Sequence, residues 1–186
     1  MKIISHKNLS SAVTVLKNNG VITYPTDTAY ALGGIFNSQK VKNRILKIKG
    51  RKDDKFTLIA SDAAQVSQYF RLPPRGKALA KKYWPGPLSL VVSPRFAVRV
   101  PANTLARTLA RRVGCPLIAT SANLTGGRTL YSGLAVMKEF QNRKNQPDLI
   151  LDAGRLKKIK TSTIVQVKKG KVAVLRSGAL DLRQEL

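Results

Sequence analysis

Hydrophobic positions along the chain follow two alternating rhythms. In "LSSAVTVLKNNG", Leu9, Val13 and Leu16 recur at the spacing of one helical face, and Gly20 closes the run as a helix-ending residue. "VITYP" then reads as a short strand. "SQKVKNRILKIKG" predicts a second helix, with Ser38 as N-cap, Val41, Ile45 and Ile48 as its apolar stripe, and Gly50 as its stop. "FTLIA" predicts a strand and "SDAAQVSQYF" a short helix behind an Asp or Ser cap. "RGKALAKKYW" predicts a helix closed by the turn "PGP" at 85–87. "LSLVVS" and "FAVRVP" read as strands joined at Pro94. "NTLARTLARRVG" carries Leu105, Leu109 and Val113 on one helical face, with Gly114 after it. The pattern continues with a strand "PLIATS", a helix "SGLAVMKEFQN" and a strand "LILDA". It ends in "STIVQV-KKG-KVAVLRSG", a hairpin turning at Lys169–Gly170.

Alternating helices and strands, interrupted by hairpin-like neighbours, predict an α/β fold with a mixed sheet. No repeat, low-complexity segment or linker composition divides the chain, so one domain over residues 1–186 is expected. The opening "MKIISHKNLSS" lacks the sustained apolar run of a secretory signal. No stretch approaches the ~20 apolar residues of a membrane span, and the cytoplasm is the expected compartment. A single cysteine, Cys115, rules out an internal disulfide and any CxxC motif, and its apolar flank predicts a buried, inert thiol.

Charge changes this ordinary picture. There are 34 Lys and Arg against 9 Asp and Glu, a formal net charge of +25. An excess of that size favours polyanions such as RNA, DNA or nucleotide phosphates, although a solvated lysine-rich surface produces the same total.

Several chemistries are excluded by what the chain lacks. There is no GxxxxGK[ST], no GxGxxG and no HExxH, and His6 is the only histidine. A Ser-His-Asp triad on Ser121 would depend on that one residue, and metal sites of His and Cys cannot be assembled. A Ser-Lys pair stays chemically open. What the chain does have is a set of strand ends and turns rich in hydroxyls, amides and cations. "KGR" puts Lys49 and Arg51 where a helix meets a loop, and "YPTDTAYALGG" presents Thr26, Asp27 and Thr28 just past a strand. "RVP" holds Arg99 in an apolar strand, where an arginine needs an anionic partner. "ATSANLTGG" offers Ser121, Asn123 and Thr125 before two glycines, while "TSTIV" and "LRSGA" repeat the theme. Each motif alone has a plain reading as a capped turn or solvated cation. Together they point to a phosphate-bearing substrate held by positioning and electrostatics. An RNA-binding module without catalysis and a Ser-Lys hydrolase remain the alternatives, although no RRM or KH signature is present.

"YPTDTAYALGG", "KGR", "WPGPLSLVV", "AVRVP", "ATSANLTGG" and "STIV…VLRSGA" stand in the order and approximate spacing of the YrdC-like family, which this chain resembles over about residues 8–180. Its length is similar to that of the short bacterial form. The resemblance implies an open, twisted, mixed α/β sheet with a concave basic face. It also implies a threonylcarbamoyl-AMP synthase, a nucleotidyltransferase converting L-threonine, bicarbonate or CO₂, and ATP to threonylcarbamoyl-AMP and pyrophosphate. That product serves threonylcarbamoyladenosine formation in tRNA, with TsaB, TsaD and TsaE as pathway partners and tRNA or another RNA as a candidate for the basic face. No membrane partner is implied. Mg²⁺ would be held by the ATP phosphates, with no metal ligand from the protein.

By motif, Lys49 and Arg51 resemble the family's catalytic phosphate-holding pair. Lys55, Ala119, Ser121, Asn123 and Arg176 would complete the ATP site, and Thr26, Arg99 and Thr163 the threonine site. The chain departs from the family pattern in "RKDDKFTL", which lacks the usual proline after the cationic pair. It departs again at Ala31, where glycine is usual, and at Gln166, where aspartate is frequent.

Overall fold

The computed structural model describes residues 1–185. In chain order its elements begin β1 (Lys2–Ser5), α1 (Leu9–Lys17), β2 (Ile22–Pro25), β3 (Tyr30–Gly33), α2 (Gln39–Lys49) and β4 (Phe56–Ile59). There follow α3 (Ala63–Tyr69), α4 (Pro74–Tyr83), β5 (Leu88–Val91), β6 (Phe96–Arg99), α5 (Thr104–Val113), β7 (Leu117–Ile118) and β8 (Thr120–Ser121). The last elements are α6 (Gly133–Phe140), β9 (Leu149–Asp152), β10 (Thr163–Lys168), β11 (Lys171–Arg176) and a 3₁₀ turn at Arg183–Glu185.

The helices stop and start where local chemistry dictates. Ser38, Asp62, Asn103 and Ser132 each accept a backbone N–H three residues on, the geometry of an N-cap. Gly50 and Gly114 close α2 and α5 in the left-handed conformation. The first helix differs from expectation: its chain reversal uses Asn19 at φ 60°, one residue before Gly20. Asparagine tolerates that conformation better than other side chains. Gly20 serves packing instead, since a Cβ there would lie 2.3 Å from Val15 Cγ1. On α5 the buried face is Ala106, Leu109 and Ala110, so the predicted stripe of Leu105, Leu109 and Val113 is rotated toward the small residues.

The strands are mixed, as the pattern predicts, but they form two sheets rather than one. One has the order β1-β9-β2-β3-β8 and the other β11-β10-β5-β6-β4-β7. Two strands escaped the sequence pattern. β1, reading "KIIS", pairs parallel with β9 along all of Lys2–Ser5 but buries only Ile4. β3 makes "YPTDTAYALGG" a hairpin with β2, not a strand followed by a loop. The predicted 163–176 hairpin is present, and Lys169 and Gly170 both adopt positive φ at its turn.

The division into sheets has a local cause. The run "PLIATS" changes partners midway: Leu117 and Ile118 pair with β4, whereas Thr120 and Ser121 pair with β3. At the crossover, Ile118 N–H donates to Gly34 O at 2.8 Å, Tyr24 Oη donates to Ile118 O at 2.8 Å, and Ala119 N–H donates to Thr57 O at 2.8 Å. Gly33 packs so closely that a Cβ would sit 1.6 Å from Ile118 O. Helices α1 and α5 cover one core, with Leu16, Ile22, Tyr24, Ile59, Leu109 and Leu117 fully buried. A second core contains Val41, Ile45 and Ile48 of α2 with Val136 and Phe140 of α6. Replacing Gly33 by Ala should lower stability by about 2–3 kcal/mol through overpacking against backbone. Urea unfolding checks this, and an unchanged midpoint would show that the junction can yield.

Candidate functional site

Where the two sheets meet, a cleft of about 400 Å³ is bounded by the β2–β3 turn, the loop after α2, the end of β6, β8 with the segment following it, residues 161–162 just before β10, and the end of β11 at Arg176. Thr26, Arg51, Lys55, Arg99, Ala119, Ser121, Asn123 and Arg176 all line it. No lining residue is acidic, and four are cations. Such a cleft attracts anions, because of its four cations only Arg99 is ion-paired, with Asp27, among the described residues.

Each cation is set by a specific contact. Arg51 follows the left-handed Gly50, donates from Nη2 to Lys55 O at 2.8 Å, and stacks 5.1 Å over the Phe56 ring. Its Nε is buried and has no hydrogen-bond partner. Arg99 is only 4% exposed; its Nη1 donates to Asp27 Oδ1 at 2.6 Å, and Asp27 Oδ2 accepts Ala102 N–H at 3.2 Å. The anionic partner demanded of an arginine in an apolar strand is therefore Asp27, at the tip of the adjacent hairpin. Arg99 Nη2 keeps only a 3.4 Å contact to Thr28 Oγ1. Arg176 is held by Ser162, whose carbonyl and hydroxyl oxygens lie 2.8 and 3.1 Å from Nη2. Partial burial, and then the charge of Arg99, pull the Arg176 guanidinium below the usual arginine value. Gly178 permits this loop to close, since a Cβ there would meet Thr161 O at 2.2 Å.

Lys49 and Thr163 are not at the cleft surface. Lys49 is 3% exposed, and its Nζ donates to Ser121 O at 2.7 Å, Ser121 Oγ at 3.2 Å, Asn123 Oδ1 at 3.2 Å and Asn123 O. Thr125 answers from the same loop, donating N–H and Oγ1–H to Lys49 O at 3.1 and 2.9 Å. The lysine thus ties the end of α2 to the 121–125 loop. Burial first, and then the neighbouring Arg51, lower its ammonium to about 8, with Glu139 opposing. Thr163 Oγ1 donates to Leu180 O at 2.7 Å and accepts N–H from Gly178 and Leu180, so it pins the tail and leaves Thr161 and Ser162 as the cleft hydroxyls. Thr26 does both jobs. It lines the cleft while Oγ1 donates to Ala29 O at 2.7 Å and accepts two turn N–H groups.

A Ser-Lys contact exists where sequence distance hid it: Lys49 Nζ is 3.2 Å from Ser121 Oγ, across 72 residues. Ser162 and Thr57 were not singled out as site residues. Both sit in quoted motifs, but only the sheet junction brings them to the cleft. Among the described residues, no group of three or more His, Cys, Asp or Glu side chains assembles. No helix there is long and apolar enough to cross a membrane.

Two mixed sheets with a basic, hydroxyl-lined cleft at their junction define the class: an open α/β fold. A family model described as "Telomere recombination", and named for Sua5, YciO and YrdC, matches residues 14–178. The chain belongs to the Sua5/YciO/YrdC family. It is 29% identical over 190 residues to YciO of Escherichia coli K12, a protein called uncharacterized, covering 94% of this chain and 91% of that one. It is 32% identical over 173 residues to the threonylcarbamoyl-AMP synthase of Chromobacterium violaceum, covering 84% and 87%. Sua5 of Pyrococcus abyssi, solved with L-threonine, superposes with a TM-score of 0.88 at 26% identity, over 100% of this chain but 60% of that one. The E. coli YciO crystal structure gives 0.86 at 27% identity, over 100% and 98%.

Replacing Lys49 by Met would leave buried acceptors at Ser121 and Asn123 without a donor. Stability should fall by about 2–3 kcal/mol in urea unfolding. In the wild type, Lys49 loses its proton as pH rises through about 8, removing one positive charge beside the cleft. Affinity for sulfate, whose own charge is constant there, should therefore weaken across that interval, as read by calorimetry, and a flat profile to pH ~10 would contradict that loss of charge.

Proposed function

We propose that this chain is a threonylcarbamoyl-AMP synthase, joining L-threonine, bicarbonate and ATP to give threonylcarbamoyl-AMP, pyrophosphate and water, or taking CO₂ in place of bicarbonate with no water formed. One observation carries the reading: Arg51 and Lys55 of the α2–β4 loop, Arg99 of β6 and Arg176 of β11 converge on a cleft with no carboxylate in its lining. That suits two anionic substrates brought together. Relatives named as this synthase, and the L-threonine complex of Sua5, support the same choice. Because the chain spans about 60% of that Sua5, any work done by the rest of that protein is not carried over.

In this reading the threonine amine takes up CO₂ to form a carbamate. A carbamate oxygen attacks the α-phosphorus of ATP, and the bond to the bridging oxygen breaks as pyrophosphate leaves. Arg99 takes the threonine carboxylate through Nη2, while Asp27 fixes the guanidinium from behind. Arg51, Lys55 and Arg176 offset phosphate charge, with Ser121, Asn123 and the backbone around Ala119 as further donors. Lys49 works by positioning the Ser121–Asn123 loop. Thr26 orders the turn beside the amino acid, and Thr163 acts one step removed by placing Ser162 and Arg176. The acid-free wall fits Mg²⁺ carried in on the ATP phosphates, which would supply further charge neutralisation at the leaving group. Transfer to tRNA, with TsaB, TsaD and TsaE, belongs to the same proposal, as do an RNA contact and a cytoplasmic setting.

The test is pyrophosphate release from ATP, measured with and without threonine and bicarbonate. Release should require both. Turnover independent of threonine, or none from folded protein, overturns the reading. Arg51→Gln should reduce kcat/KM by about 10- to 150-fold with the fold intact, the value of one charge-assisted contact.

The 3.2 Å approach of Lys49 Nζ to Ser121 Oγ favours a second reading, acyl transfer at Ser121 with neutral Lys49 as base. Against it, the lysine protons are already committed to the carbonyls of Ser121 and Asn123. Ser121→Ala separates the two. Synthase activity should fall by about ten-fold or less, the loss of one neutral donor. If Ser121 instead labels with a fluorophosphonate and its removal abolishes all turnover, the nucleophile reading wins.

A further inference from the structure

Behind the cleft lies a second cavity, larger at about 690 Å³. Arg99 lines the cleft and the next residue, Val100, lines this cavity, so the end of β6 forms a shared wall. Its apolar part is made by Phe70, Leu72, Trp84 and Val100, with Ala80 and Pro85. Trp84 is held rigidly, because its indole N–H donates to Leu88 O at 2.7 Å. Around the rim stand Arg71, Lys77, Lys81 and Arg107, from the loop after α3, from α4 and from α5.

The charges are unbalanced. None of the four cations makes an ion pair among the described residues. The one acid in the lining, Asp62, is committed elsewhere: it accepts Gln65 N–H at 2.8 Å and Ser61 Oγ–H at 2.9 Å, and faces Arg111 at 3.7 Å. Arg107 has a buried Nε with no hydrogen-bond partner, and its Nη2 reaches only Thr104 Oγ1 at 3.4 Å. Four like charges gathered over an apolar floor raise the local potential, and an unpartnered guanidinium N–H leaves a donor in want of an acceptor.

We propose that this cavity is a second binding site, for a nucleoside monophosphate, with the base against Trp84 and Phe70 and the phosphate among Lys77, Lys81 and Arg107. The volume falls in the range of sites for small ligands. A rigid indole suits a flat ring, which stacks on it without regard to base identity. Several cations on one rim exceed what a single carboxylate needs and match a phosphate dianion. The site does not depend on the synthase reading, since no residue of its lining belongs to the cleft.

Trp84 is the only tryptophan of the chain, so its fluorescence reports on this cavity directly. Titration with AMP should quench it saturably, with adenosine and inorganic phosphate each at least about ten-fold weaker, because each supplies half of the recognition. A Lys77→Gln/Lys81→Gln double variant, altered only at exposed positions of α4, should weaken AMP by about ten-fold or more while Arg51→Gln leaves the titration unchanged. Arg107→Gln should act in the same direction as the α4 pair. Three results would overturn the site: fluorescence flat in AMP, quenching lost with Arg51→Gln but kept in the α4 variant, or quenching by a short single-stranded RNA alone. The last would assign the surface to a polymer rather than to a free nucleotide.

Discussion

The run from Leu117 to Ser121 has to satisfy two sheets at once. Its first half completes the edge of the β4 side and its second half the edge of the β3 side, so the backbone at Ile118 and Ala119 is shared between them. Hydrogen bonds from Tyr24 and to Gly34 and Thr57 hold that crossover, and a side chain at Gly33 would forbid it. From this constraint follow the division of the sheet and the opening lined by residues at the ends of β3, β6, β8 and β11.

Lys49 then converts an opening into a site. A loop of small and hydroxyl residues ending in Gly126 and Gly127 has little packing of its own, and the chain order of loops costs entropy. The buried ammonium gathers the carbonyls of Ser121 and Asn123, while Thr125 returns the contact to the Lys49 carbonyl. One cation thus orders the anion-facing groups from behind, and the half-buried Arg51 and exposed Lys55 line the cleft in front of it. Asp27 does the corresponding work for Arg99. The cleft is a basic surface whose cations are fixed partly from within, by Ser162 and the Lys55 carbonyl, and partly from outside, by Asp27 and the Phe56 ring.

Much of this was legible along the chain. The cap at Ser38, the Asp-or-Ser cap realised by Asp62, the glycine stops at Gly50 and Gly114, and the Lys169–Gly170 hairpin follow from local propensity and appear as such, while the caps at Asn103 and Ser132 emerge only in the structure. β1 and β3 were hidden for different reasons. "KIIS" owes its strand to pairing with β9, more than a hundred residues away, and "YALGG" lacks the alternation of a half-buried strand because it is buried throughout. The site motifs announced phosphate-friendly chemistry, yet motif position alone could not separate residues that face the cleft from those that support it. Lys49 and Thr163 look like ligands in sequence; in space their side chains are hydrogen-bonded to neighbouring loops and do not line the cleft.

By itself, then, the sequence determined the α/β class, the helix boundaries, the excess of positive charge and the set of motifs from which a site is made. Those properties depend on neighbours within a few residues, or on composition. Only the tertiary structure decided that the strands divide into two sheets, that Arg99 answers to Asp27, and that Lys49 lies beside Ser121. These are contacts across some seventy residues or more, or a change of partner within one strand, and they are fixed by which backbones can approach closely enough to pair.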